Sequence, residues 1–184
     1  MFSYDIKIPH DRVAVLIGKG GKTKRRIEKE TSCEIDVESK EGEVTITGED
    51  GVKLYSAQHI IKAIARGFNP KHALRLQKHD YVFEIIDLYD YHEKKNHHER
   101  MKGRVIGKGG KSRKVIEELA DCQISVYGKT ISIIAAAETA GIAKRAIEML
   151  LEGANHSTVF TFLEKKRREQ KIASLMGSKS QNKT

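Results

Sequence analysis

The hexapeptide Ile17-Gly18-Lys19-Gly20-Gly21-Lys22 returns unchanged as Ile106-Gly107-Lys108-Gly109-Gly110-Lys111, 89 positions later. Thr31-Ser32-Cys33-Glu34-Ile35-Asp36-Val37 answers Ala120-Asp121-Cys122-Gln123-Ile124-Ser125-Val126 at the same offset. Ala63-Ile64-Ala65-Arg66-Gly67-Phe68-Asn69 answers Met149-Leu150-Leu151-Glu152-Gly153-Ala154-Asn155 at a slightly shorter one. A repeat of this length is most simply a duplicated folding unit. In a chain of 184 residues, each copy has about 80 to 90 residues, enough to fold around a modest core. We place the first unit at residues 1–79, the second at 80–172 and a flexible basic tail at 173–184.

Periodicity predicts one element order for both copies. In the first, Tyr4-Asp5-Ile6-Lys7-Ile8 alternates as a strand and stops at Pro9; 12–17 carries Val13, Leu16 and Ile17 at helical spacing. After the glycines, 23–30 reads as a short helix whose one large apolar residue is Ile27. Cys33, Ile35 and Val37 form a strand, Lys40-Glu41-Gly42 a turn, and Val44-Thr45-Ile46 a further strand. The closing helix, 52–65, gathers Ala57, Ile60, Ile61 and Ile64 on one face. The second copy repeats this with strands at 82–88, 122–126 and 130–134 and helices at 112–119 and 139–151. The expected class is α+β, in the order β-α-α-β-β-α. A further helical segment trails each copy, at 71–78 and 157–171.

The formal net charge is +9, which favours an anionic partner. Its placement sharpens the inference. Residues 12–29 hold Arg12, Lys19, Lys22, Lys24, Arg25, Arg26 and Lys29 against Glu28, with Asp11 just before them. Residues 102–114 hold Lys102, Arg104, Lys108, Lys111, Arg113 and Lys114 with no acid. Cys33 and Cys122 occupy equivalent places in alternating segments and read as buried thiols in a reducing, intracellular protein. Neither a signal region nor a run of transmembrane length is expected.

Gly-Lys-Gly-Gly between two short helices permits positive φ and a close approach of the backbone to phosphate at a helix start. A bulky residue at Gly18 or Gly21 is expected to block that approach. A triphosphate-binding loop needs a glycine where Leu16 and Val105 stand. A dinucleotide fingerprint needs a glycine where Thr23 and Ser112 stand. A ligand-free glycine turn is the plain alternative, and its recurrence in one matched element order argues against it.

Ile-Gly-x-x-Gly in this element order resembles the type I KH domain. The resemblance implies that Gly18, Lys19, Gly20 and Gly21, and Gly107, Lys108, Gly109 and Gly110, clamp the backbone of about four nucleotides of single-stranded nucleic acid. It implies that Lys22, Arg25, Lys111 and Lys114 flank the clamps, with Arg104 and Arg113 beside the second. It also implies that bases turn toward grooves floored by Ile17 and Ile35, and by Ile106 and Ile124. With aromatics at 6% and no Trp, stacking on an aromatic sheet is not expected. The tandem copies, the trailing helices, the words Arg104-Val105-Ile106-Gly107-Lys108-Gly109-Gly110-Lys111 and Ala65-Arg66-Gly67-Phe68, and the basic tail resemble one family in particular. This is the Dim-two (partner of Nob-one) family of small-subunit pre-rRNA processing proteins, over residues 3–172. It implies binding near the 3′ end of small-subunit rRNA, association with the endonuclease that matures that end, and association with the alpha subunit of translation initiation factor two. Eukaryotic members commonly have a degenerate first loop and a long N-terminal extension. The intact first loop and the missing extension fit an archaeal type. The implied protein is a non-catalytic, cytoplasmic monomer that needs no cofactor.

Other segments weigh less. His92, His97 and His98 match no standard zinc spacing and read as a solvated loop, with no metal expected. Asp87 and Asp90 read as a strand-end turn rather than a nuclease pair. The basic run Lys165-Lys166-Arg167-Arg168 is either a solvated helix face or a phosphate contact.

Overall fold

The computed structural model describes the backbone of residues 1–181 and the side chains of residues 1–176. In the first copy, β1 (Phe2–Lys7) gives way at Pro9 to α1 (His10–Ile17), followed by α2 (Lys22–Thr31). Strands β2 (Glu34–Glu38) and β3 (Glu43–Gly48) and helix α3 (Gly51–Ala65) complete it, with α4 (Pro70–Ala73) trailing. In the second copy come β4 (Tyr81–Asp87), α5 (Lys95–Ile106), α6 (Lys111–Leu119), β5 (Cys122–Tyr127), β6 (Thr130–Ala136), α7 (Ala137–Leu151) and α8 (His156–Gln181). Both copies thus follow the expected β-α-α-β-β-α order. The strands form two three-stranded antiparallel sheets, ordered β1-β3-β2 and β4-β6-β5. The class is α+β, as expected.

The chain divides into two compact units that differ from the two sequence repeats. One comprises Met1–Ile86 with Gln123–Ile134; the other comprises Asp87–Cys122 with the chain from Ala135 onward. Strands of the second copy therefore gather with the first unit. The Ser125 hydroxyl donates to Arg66 O (2.8 Å), the Tyr127 hydroxyl bonds the Asp11 carboxylate (2.8 Å), and Phe68 meets Phe83 edge-on. Gly67, at φ 94°, permits this approach, because a Cβ there would lie 2.6 Å from Ser125 Oγ.

Within the first unit, register follows from the period-2 pattern. Ile6 pairs with Val44 and Ile35 with Ile46 across the central strand β3, which puts Ile35, Val44 and Ile46 in the core. Asp50 caps α3 by accepting from Val52 N (2.8 Å) and Lys53 N (3.3 Å). That helix buries Ala57, Ile60, Ile61 and Ile64 against Leu16 and Ile27 of the two helices that flank the first glycine loop. Each buried Ile or Leu among them contributes roughly 1.5–3 kcal/mol relative to exposure. The trailing segment is a single α-turn, capped by Asn69, and then a 3-10 turn over Leu74–Gln77 that buries Leu74 and Leu76 in the same core.

In the second unit α5 packs on α6 and α7, while α8 packs on α6 and α7. Met101, Val105, Ile116, Ala143, Ile147, Leu150, Val159 and Leu163 are buried there. Helix α8 is longer than the expected 157–171 and continues to Gln181 through most of the stretch read as a flexible tail; 182–184 lie outside the described residues. The histidine segment requires a correction. Its second half is helix α5, and His98 is 3% exposed rather than solvated. The His98 ring nitrogen Nε2 bonds His92 O (2.7 Å) and the ring packs edge-on against Tyr89, which explains how a polar ring is buried without penalty. Asp87 Oδ1 accepts from Tyr89 N (3.0 Å), the strand-end turn expected there.

Candidate nucleic-acid interface

Helix α1 stops at Gly18, whose φ of 71° and ψ of 172° no side chain tolerates well. One 3-10 turn, Lys19–Gly21, follows, closed by Gly21 N donating to Gly18 O (3.1 Å), and α2 then begins at Lys22. The second loop is a copy of the first within a few degrees: φ is 71°, 61° and 76° at Gly107, Gly109 and Gly110, against 71°, 59° and 74° at Gly18, Gly20 and Gly21. The glycines have two distinct duties. At Gly18 a Cβ would lie 2.2 Å from Thr23 Oγ1, and at Gly107 one would lie 2.6 Å from Ser112 Cβ. The first glycine therefore closes the turn onto the start of the next helix, rather than clearing space for phosphate as the sequence reading had it. At Gly20, Gly109 and Gly110 a Cβ would meet nothing within 4 Å, so these residues form the open face of the turn. At Gly21 it would meet only the Arg25 guanidinium, 3.5 Å away.

Lys19, Lys22, Lys108, Lys111 and Lys114 are exposed, and none has a hydrogen bond or ion pair among the described residues. Five mobile ammonium groups around two turns are free to neutralise phosphate. The surroundings of the loops differ. In the first, Arg25 donates to Gly20 O, Lys24 lies 3.6 Å from Glu28 and Arg26 pairs with Glu30 at 2.9 Å. In the second, Arg113 lies 3.9 Å from Glu117 and Lys102 pairs with Glu99, while Lys114, which stands in the place of Arg25, makes no hydrogen bond to the loop carbonyl among the described residues. The Ser112 hydroxyl is buried at the start of α6 with no partner among the described residues.

Two expected site residues have other duties. Arg104 donates from Nε to Leu150 O (3.0 Å) and from Nη2 to Ala154 O (2.6 Å), so its guanidinium covers the C-terminal end of α7 instead of standing at the clamp. Arg12 does the same in the first unit, to Ile64 O (2.8 Å) and Phe68 O (2.7 Å). Sequence reading missed this pairing, because the acceptors are main-chain carbonyls that any residue supplies. Ile35 and Ile124, expected as groove floors, are 1% and 5% exposed and belong to the interior. Ile17 and Ile106, which end the helices before each loop, are half-buried and remain the apolar surface beside the clamps.

The chain that carries these two positive-φ, lysine-bearing turns matches known proteins over most of its length. Residues 3–63 match the KH domain and residues 82–168 the eukaryotic-type KH domain (KH-domain type I). The KH domain-containing protein MJ0443 of Methanocaldococcus jannaschii is 48% identical over 91% of this chain and 75% of its own length. Dim2p of Pyrococcus horikoshii, as a crystal structure, superposes with a TM-score of 0.84 at 43% identity, covering 90% of this chain and 99% of that one. The chain belongs to the two-KH-domain Dim2p/PNO1 family. A second P. horikoshii structure, of an a/eIF2alpha–aDim2p–rRNA complex, is similar to this Dim2p/PNO1-family protein at 42% identity and a TM-score of 0.84, covering 91% of this chain and 95% of that one. The RNA-binding protein pno-1 of Caenorhabditis briggsae is 31% identical over 61% of the chain, which spans 42% of that longer protein.

Proposed function

We propose that this protein is a non-catalytic single-stranded RNA-binding factor that holds the 3′-end region of small-subunit rRNA during ribosome assembly and pre-rRNA processing. The observation that carries the reading is the pair of superimposable glycine turns, each with an open backbone face and unpaired lysines. Backbone N–H groups and a helix start favour phosphate, and lysine adds charge without demanding a base sequence. The rRNA in the complex of the P. horikoshii relative supports the choice of RNA. The second clamp is the principal one in this reading, because Lys114 stands where Arg25 covers the Gly20 carbonyl of the first. Protein partners are the alpha subunit of translation initiation factor two, present in that relative's complex, and the endonuclease that matures the rRNA 3′ end. We assign a monomer in the cytoplasm; among the described residues no helix is long and apolar enough to cross a membrane. The sequence copies, 1–79 and 80–172, are the units of duplication in this reading.

The test is binding of a short single-stranded RNA from the rRNA 3′ end. Joint Lys108→Asp and Gly109→Asp substitution is expected to lower affinity at least tenfold, and joint Lys19→Asp and Gly20→Asp substitution to lower it less. Unchanged affinity in both would sink the clamp mechanism. A second reading has the first loop as a protein-docking surface, as in an adaptor of translation initiation or RNA decay, and the Arg25 cover on Gly20 O favours it. In that case the Lys19→Asp, Gly20→Asp protein retains RNA but loses the initiation-factor subunit from a ribonuclease-treated pull-down.

A further inference from the structure

Within the unit that holds the first clamp, α3 and the start of β4 border a cleft of about 330 Å³. Tyr55, His59, Lys78, His79, Tyr81 and Phe83 line it, and none of them belongs to either clamp. Four rings connect in series there. Tyr55 lies over His59 with centroids 4.0 Å apart, His59 meets Phe83 edge-on at 6.4 Å, and Phe83 meets Phe68 at 6.2 Å. The inner end is fixed, since Phe68 is 4% exposed, while the outer ring, Tyr55, is 62% exposed. A bond between His59 Nδ1 and Tyr55 O (3.0 Å) ties the outer rings to the helix backbone. Across the cleft the Lys78 ammonium stands 5.9 Å from the Tyr81 ring centroid and has no carboxylate partner among the described residues.

We propose that this cleft is a second RNA subsite, in which an unpaired base stacks on Tyr55 while a neighbouring phosphate meets Lys78 and His79. The proposal rests on the RNA-binding function assigned above and goes beyond the two clamps. A preordered ring with an exposed face and a nearby cation are the two groups that a nucleotide requires, and such stacking tolerates any base. The rings are held before binding, so little conformational freedom is lost on contact. A clamp engages about four nucleotides, so a second hold extends the length of strand that the protein secures. Glu84 is the one acid among the lining residues and Lys78 matches it, so the cleft presents no net negative charge to a polyanion.

The experiment compares labelled single-stranded RNAs of about four and about twelve nucleotides against the wild type, Tyr55→Ala, Tyr55→Phe, Lys78→Ala and the Lys108→Asp, Gly109→Asp clamp variant. Tyr55→Ala is expected to weaken the longer RNA roughly tenfold and leave the shorter unchanged, Tyr55→Phe to bind like wild type, and Lys78→Ala to reduce the salt dependence. The clamp variant weakens both RNAs. Tyr55 is exposed, so its variants fold, which thermal melting checks. Wild-type affinity of Tyr55→Ala for the longer RNA overturns the subsite and leaves the clamp function standing. Absence of wild-type binding to either RNA overturns the clamp function and the subsite together. If Tyr55→Ala loses the purified initiation-factor alpha subunit but not RNA, the cleft docks protein and the proposal fails.

Discussion

Gly18 and Gly20 are neighbours in one loop with opposite tolerances, and substitution separates them. Gly18→Ala and Gly107→Ala force a methyl into Thr23 or Ser112 at positive φ, with an expected cost of about 2–4 kcal/mol by chemical denaturation. Gly20→Ala and Gly109→Ala enter open space and are expected to cost only about 1 kcal/mol of left-handed strain, so their loss shows in RNA affinity instead. Cys122 behaves as the buried thiol read from the sequence. Burial, reinforced by Glu117 and Asp121, pushes it up to about 12. The folded state therefore favours the neutral thiol. Its stabilising effect is complete below the ordinary value of 9.0 and is lost as pH rises toward about 12. Native protein is expected to resist iodoacetamide at pH 8 and to react at Cys122 only on unfolding. His97 titrates below 6.5, first through desolvation and then through the charges of His92, Arg100 and Lys94. Acidification therefore protonates it late, and a histidine NMR titration is expected to give a midpoint below 6.5.

At the scale of elements the strands and helices were legible because their signals are local. Alternation placed β2 and β3, the spacing of Ala57, Ile60, Ile61 and Ile64 placed α3, and the hexapeptide placed both loops. What escaped depends on contacts distant in sequence. His98 reads as polar and solvated until Tyr89 and the His92 carbonyl close over it. Ile35 reads as a groove floor until β3 and the helices cover it. Arg104 reads as one more cation near a clamp, yet its partners lie at the end of α7, 46 and 50 residues away. Arg104→Ala is accordingly expected to cost about 1–3 kcal/mol of stability by leaving two carbonyls uncovered. Its effect on RNA affinity is expected to be much smaller than that of Lys108→Asp.

For the whole molecule, the charge of +9 governs how RNA binding responds to ions. The logarithm of the association constant is expected to fall linearly with the logarithm of salt concentration, by about 0.7 per phosphate neutralised on a single strand. Replacing Lys108 and Lys111 by Ala is expected to flatten that slope by about 1.4. The division into compact units was less legible than the repeat, because Ser125, Tyr127 and Phe83 join the first unit through contacts that no periodicity announces. The matched arginines bear on how such a molecule diverges after duplication. Arg12 occupies the place of Met101 in the other copy, and Arg104 the place of Val15, one helical turn along. The carbonyls they cover are nonetheless counterparts, Ile64 with Leu150 and Phe68 with Ala154. The two copies thus cover equivalent carbonyls from positions one helical turn apart, so aligning the copies on their arginines would slip the register by three residues. The equivalence of the copies at this point lies in the main-chain acceptors, where a comparison of residue names does not look.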